Sequence, residues 1–96
     1  MSRPKKCRST RCTVESDYFK PRGIPLSDLD EVNLNMDEIE ALRLADYEGL
    51  YQEDAAKRMN ISRATFGRIV EAAHRKIADA ILHGKAMKIE QKQEAG

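Results

Sequence analysis

The apolar and small residues in the second half of the chain recur at helical spacing and predict two helices joined by a tight turn. Ala55 and Ala56 are small enough to let a second helix cross close to the first. Asn60 tolerates the left-handed conformation that ends a helix. Ser62 is a good N-cap, so we expect the next helix to begin at Arg63.

This second helix is predicted to be long and amphipathic. Its apolar residues follow steps of three, one, three, four, three and one, and they mark an inward face: Phe66, Ile69, Val70, Ala73, Ile77, Ala80 and Ile81. At 100° per residue the opposite face carries Ala64, Arg68, Glu71 and Arg75, flanked by Thr65 and Gly67, with Arg63 in the first turn. We expect the helix to end near Gly84.

A supporting helix is predicted before this pair. Asn35 is its N-cap and Glu38 completes a capping box, in which each side chain accepts a hydrogen bond from the other residue's backbone N–H. The inward residues are Met36, Ile39, Leu42 and Ala45, with Ala41 and Leu44 alongside, and the helix should end near Asp46 or Tyr47. Start signals at Pro25 and Ser27 favour one more helical turn over residues 27–32.

Length and composition favour one small all-α domain. The chain has 96 residues, 41% hydrophobic residues, only three Tyr and two Phe, and no Trp, which fits a helical bundle better than a β-sandwich. We expect a flexible, basic, Cys-containing arm over residues 1–23, a helix-turn-helix domain over residues 24–86 and a polar tail over residues 87–96.

The net charge of +1 conceals three regions of different sign. Residues 1–23 hold seven bases and two acids, residues 24–50 one base and eight acids, and residues 51–96 nine bases and six acids. The arm, with Arg3, Lys5 and Lys6, is suited to phosphates or a minor groove, although a solubilising tail is the simpler alternative. The acidic middle should face away from DNA, or contact a basic surface of a partner such as RNA polymerase.

Candidate chemistry other than binding is sparse. Cys7 and Cys12 have C-x4-C spacing, wider than the zinc knuckle, and two thiolates do not complete a tetrahedral site, so free thiols are favoured over a metal or redox switch. No catalytic constellation is visible, and we expect neither an enzyme nor a cofactor. No apolar run reaches the length of a membrane span, and the basic start lacks the apolar segment of a signal peptide, so we expect a cytoplasmic protein.

These features together favour a DNA-binding transcriptional regulator whose second helix enters the major groove of duplex DNA. Arg63 and Arg68 are the best candidates for base or phosphate contact, with Ser62 and Thr65 nearest the backbone. Glu71 is suited to accept from cytosine, although an intrahelical pair with Arg75 is the commoner arrangement. A homodimer on a palindromic site is expected because one small domain has a small footprint. The alternative is an adaptor for the transcription machinery, with or without a Cys-based metal or redox switch.

Five segments of the chain resemble a family of small, uncharacterised prokaryotic proteins predicted to bind DNA through a helix-turn-helix similar to region four of bacterial sigma factors. The segments are RPKKC from Arg3, GIPL from Gly23, DEIEALRLADYEGL from Asp37, QEDAAKRMNISRATFGRI from Gln52 and RKIADAILHGKA from Arg75. The resemblance implies that residues 62–71 enter the major groove and that Gln52 touches phosphate. The sequence departs from such motifs at Tyr51, where a small capping residue is common, and at Asn60, where Gly is usual. It does not imply a sigma factor, because the chain has no room for the other regions that bind core polymerase.

Overall fold

A computed structural model describes residues 14–90, which form three α-helices and a three-stranded sheet. The elements in chain order are β1 (Tyr18–Phe19), a 3-10 turn (Leu26–Asp28), β2 (Glu31–Asn35), α1 (Met36–Leu42) with a π-helical continuation (Arg43–Tyr47), α2 (Gln52–Met59), α3 (Arg63–His83) and β3 (Ala86–Glu90).

The prediction of an all-α fold was wrong, because these residues include a mixed sheet with strand order β1-β3-β2. β3 lies in the centre and pairs parallel with β2, so that Leu34 is opposite Ile89. It pairs antiparallel with β1, where Tyr18 is opposite Lys88. The chain therefore folds as a mixed α and β domain in which α1 and α3 pack against a small sheet and α2 packs against the other helices.

In β2 and β3, apolar and polar residues alternate with a period of two, which the prediction of an all-α fold did not take into account. In β2, Val32 and Leu34 alternate with polar residues, and in β3 Met87 and Ile89 do the same. Such alternation places the apolar side chains on one face of a sheet. Residues 87–90, which we had placed in the polar tail, are strand residues, and of the helical turn expected at residues 27–32 the structure shows only Leu26–Asp28.

Helix boundaries agree with the predicted caps. Asn35 Oδ1 accepts from the Glu38 N–H at 2.8 Å and Glu38 Oε1 accepts from the Asn35 N–H at 3.0 Å, which confirms the capping box. Asn60 has a φ of 62°, and the left-handed conformation ends α2 as expected. Ser62 caps α3, and Gly84 ends it with a φ of 65°.

Two apolar clusters hold the domain together, and α3 contributes to both. The first joins α1, its π-helical continuation, α2 and the first half of α3: Ala41, Leu44, Ala55, Ala56, Phe66 and Val70. The second joins the sheet to the second half of α3 around Leu34, Ala73 and Ile89. Because both ends of α3 are packed in this way, the direction of the helix relative to the rest of the domain is fixed.

Two acidic residues of α1 are buried, which the sequence did not reveal. Glu38 is 5% exposed, and its Oε1 accepts from Lys76 Nζ of α3 at 3.0 Å. The same ammonium donates to Asn33 O in β2 at 2.7 Å. Glu40 is also buried and pairs with Arg43. Part of the acidic charge of residues 24–50 is thus neutralised inside the domain.

The far end of α3 departs from the predicted inward face. Ala80 is buried, but Ile81, expected to pack inward, is 70% exposed. One residue turns a helix by about 100°, and α3 directs the Ala80 side into the domain, which leaves Ile81 outside the packed layer. Among the described residues, no helix has both the length and the apolar character needed to cross a bilayer.

Candidate nucleic-acid interface

One face of α3 presents the side chains that the helical period directed outward. Ala64, Arg68, Glu71 and Arg75 are all exposed, and so is Arg63 in the first turn. Gly67 and Thr65 are half-buried at the borders of this face. We call the exposed stripe formed by Ala64, Arg68, Glu71 and Arg75 the outer face of α3.

The arginines of this region have no partner among residues 14–90. The side chains of Arg63, Arg68 and Arg75 form neither an ion pair nor a hydrogen bond there. By contrast, Lys76, on another side of the same helix, is engaged by Glu38 and Asn33. Lys85, just beyond the helix, donates to the Asp79 carboxylate. The donors of the outer face are therefore free for an external acceptor.

The first turn of α3 adds backbone donors beside these arginines. Ser62 Oγ accepts from the Thr65 N–H at 3.1 Å, and the Ser62 hydroxyl donates to Thr65 Oγ1 at 2.9 Å. The Phe66 N–H begins the helical ladder by donating to Ser62 O. The N–H groups of Arg63 and Ala64 precede this ladder, so the positive end of the helix dipole lies next to the Arg63 guanidinium.

Gln52 lies where α2 crosses α3. A Cβ atom built on Gly67 would lie 3.4 Å from Gln52 Oε1 and would meet no other atom within 4 Å outside its own helix. Gly67 therefore lets the Gln52 side chain rest against α3. The arrangement brings the start of α2 alongside the outer face of α3.

Tyr51 is a candidate that the sequence analysis did not assign to the site. It is the N-cap residue of α2, makes no side-chain cap and is 81% exposed. Tyr47 is also exposed, whereas Leu50 packs against the core. Tyr51 lies between two predicted helices and belongs to neither apolar stripe, and no spacing within the sequence assigns it to the site. Tyr51 places a phenol next to Gln52.

His74 lies beside this surface and contacts α1. Its Nε2 is 2.6 Å from Asp46 Oδ2, in the π-helical continuation of α1, and its side chain is about half exposed. This contact joins the middle of α3 to the end of α1. His74 is therefore held by a carboxylate at the surface, next to Arg75.

The two groups with shifted pKa values lie away from the outer face. The Lys85 ammonium and the His83 ring lower the pKa of Asp79 near the end of α3. A hydrogen bond from Tyr18 to Glu31, across the sheet, raises the pKa of the tyrosine.

No group of three or more His, Cys, Asp or Glu within residues 14–90 is placed to hold a metal ion. The predicted arm contacts Arg3, Lys5 and Lys6, and the thiols of Cys7 and Cys12, lie outside the described residues.

Comparison with known proteins identifies relatives over nearly the whole chain. A family profile described as "Protein of unknown function DUF134" matches residues 1–94. UPF0251 proteins are similar: one from Prosthecochloris aestuarii is 58% identical over 92% of this chain and 57% of its own length. One from Desulforudis audaxviator is 53% identical over 94% of this chain and 59% of its own length. One from Thermoanaerobacter pseudethanolicus is 51% identical over 94% of this chain and 76% of its own length. The chain thus spans less than two-thirds of the first two relatives. No solved structure matches.

Proposed function

We propose, for a chain that belongs to the DUF134 family of proteins of unknown function, that it binds duplex DNA as a cytoplasmic transcriptional regulator. In this proposal α2, the turn and α3 act as a helix-turn-helix, and the outer face of α3 enters the major groove. Binding rather than catalysis is the activity.

The observation that carries this proposal is the unpaired state of Arg63, Arg68 and Arg75 among the described residues. Guanidinium groups form bidentate contacts with phosphates and with the O6 and N7 atoms of guanine. The domain engages Lys76 and Lys85 in internal contacts, yet it leaves Arg68 and Arg75 unpaired on the outer face of α3 and Arg63 unpaired in the first turn of that helix. Such a division suits a surface that meets a polyanion.

The shape of the surface supports the same function. Ala64 and Gly67 are the smallest side chains on and beside the outer face, and they would permit close approach within a groove about 12 Å wide. The free N–H groups at the start of α3 suit a phosphate. Gln52, against Gly67, and its neighbour Tyr51 are placed to contact the phosphate backbone on the side of α2.

We further propose that two copies bind together on a palindromic site. Ile81 and Leu82 are 70% and 75% exposed. They lie about 20 Å beyond Arg68 along the axis of α3, at 1.5 Å per residue, and so outside the stretch proposed to contact DNA. Two side chains fall far short of the about 800 Å² per partner typical of stable complexes. We therefore expect the copies to be monomeric when free and to meet on DNA.

The test is selection of bound duplexes from a random pool at two salt concentrations, with the full chain and its Arg68→Ala variant. Wild type should recover a motif, and Arg68→Ala should lose preference at one position at a cost of about 1 to 3 kcal/mol. Arg22→Ala is the matched control, because Arg22 is exposed and lies in the loop after β1. It removes the same charge and should leave the motif unchanged.

Other outcomes discriminate against the proposal. Binding that depends only on salt, with no enriched motif, would leave a nonspecific DNA-binding protein. Retention on RNA polymerase without DNA affinity would favour the adaptor function instead. Sedimentation that shows a single copy both free and on the recovered duplex would refute the dimer.

A further inference from the structure

Glu71 is an acidic residue in the middle of the outer face, and its side chain lacks the ion pair that its spacing favours. It lies between Arg68 and Arg75, four residues before the latter, which is the favourable spacing for an intrahelical ion pair. The structure shows no such pair, and Glu71 has no hydrogen-bond partner among residues 14–90. The carboxylate is exposed and uncommitted.

An uncommitted carboxylate on a DNA-binding face lowers affinity for every duplex, because it approaches phosphates of the same charge. A contact that depends on base identity would offset this cost. The major-groove edge of cytosine presents the N4 amino donor, whereas guanine presents two acceptors and thymine presents an acceptor and a methyl group. Adenine presents a donor beside the N7 acceptor, which repels a carboxylate. Glu71 is therefore chemically matched to cytosine.

Arg68 is a second residue on the outer face that is suited to contact a base. Arg68 lies three residues before Glu71, about 4.5 Å along the helix axis, and both side chains are on the outer face. The guanidinium of Arg68 is free for guanine O6 and N7. The small residues Ala64 and Gly67 on the preceding turn leave room for both side chains to approach base edges.

We propose that Arg68 and Glu71 read two neighbouring G·C pairs, with Arg68 on the guanine of one and Glu71 on the cytosine of the other. Glu71 is the specificity-determining residue, since it selects cytosine and rejects guanine and thymine at its position. This assignment rests on the proposed DNA-binding function and specifies the class of site, a duplex with adjacent G·C pairs in each half.

The test is selection from a random pool with the full-length wild type, Glu71→Gln and Glu71→Ala. Gln has nearly the same shape without the charge, and its amide forms a bidentate contact with adenine N6 and N7. We expect Glu71→Gln to change the preferred base from cytosine to adenine at one position and to lose roughly 5- to 150-fold in affinity for the wild-type motif. We expect Glu71→Ala to lose preference at that position and to bind random duplex more tightly than wild type.

The matched control is Glu15→Gln, which removes one charge from an exposed glutamate ahead of β1. It should reproduce the wild-type motif. Wild-type enrichment with an unchanged motif in Glu71→Gln would overturn the role of Glu71 and leave the DNA-binding function intact. The absence of any motif with wild type would overturn both the role of Glu71 and sequence-specific recognition of DNA.

Discussion

Replacement of Gly67 by Ala should affect stability and DNA binding in opposite directions. Gly67 lies inside α3, one turn from its start, and its φ is not positive. The added methyl group would meet one atom, Gln52 Oε1 at 3.4 Å, at the end of a flexible side chain. The folded domain can therefore accept the methyl group by a small shift of Gln52.

The expected magnitudes follow from this geometry. Gly inside a helix costs roughly 0.5 to 1 kcal/mol relative to Ala, so Gly67→Ala should raise the free energy of unfolding by about this amount. For a domain of this size the melting temperature should rise by about 2 to 8 °C. The same methyl group extends from α3 beside Arg68 and displaces Gln52. DNA affinity should fall by about tenfold or more, equivalent to roughly 1.4 kcal/mol.

Thermal unfolding and fluorescence anisotropy with a labelled duplex would measure the two effects on one preparation. Gly84→Ala is the control, because Gly84 has a φ of 65° and Ala there should lower the melting temperature without changing the affinity of the folded protein. A lower melting temperature for Gly67→Ala would show that the methyl group does not fit. An unchanged affinity would show that this part of α3 does not approach the duplex.

Two further predictions concern stability. Lys76→Met would leave the buried Glu38 carboxylate without its cation. Because the lysine itself is partly exposed, we expect the domain to lose about 1 to 3 kcal/mol in urea unfolding. Adding Glu38→Gln to that variant should restore most of the loss, and no recovery would contradict the assigned ion pair. Lys85 and His83 hold the pKa of the Asp79 carboxyl below its ordinary 3.8. The charged carboxylate therefore stabilises the folded domain above pH 3.8, and this stabilisation is lost as the pH falls through the lowered pKa. Asp79→Asn should therefore show a smaller loss of unfolding free energy between pH 7 and pH 3 than wild type, and equal losses would refute this role.

The parts of the fold that depend on local chemistry were predictable from the sequence. The capping box of Asn35 and Glu38, the left-handed Asn60 and the Ser62 cap each involve residues within a few positions of one another. Their hydrogen bonds depend on short side chains and a local backbone conformation, so the residue types suffice to predict them. The exposed stripe of α3 followed from the helical period alone.

The sheet was not predictable in the same way. Each of its two longer strands has only five residues, and a run of that length is also compatible with a helical turn or a polar tail. Their stability comes from pairing between residues distant in sequence, such as Leu34 with Ile89, which a single sequence does not display. The burial of Glu38 depends on Lys76, which also lies far along the chain.

In the candidate site, the sequence predicted which residues face outward but not which of them are free. The spacing of Glu71 and Arg75 favoured an ion pair that the structure lacks. The contact between Gln52 and Gly67 depends on how α2 crosses α3, and the exposure of Tyr51 depends on the path of the preceding loop. Each of these is a property of packing between elements rather than of spacing within one.

The central place of β3 in the sheet constrains the order in which the domain is able to fold. Within residues 14–90, β1 and β2 both precede the helices, do not pair with each other, and each pair with β3 alone. During synthesis on the ribosome, residues 18–19 and 31–35 have no strand partner until residues 86–90 have been made. Helix formation within residues 36–83 relies on local contacts and is fast, whereas closing the sheet requires contacts across most of the described chain and is slow. Of the three strands within residues 14–90, β3 is made last, and its pairing completes the sheet.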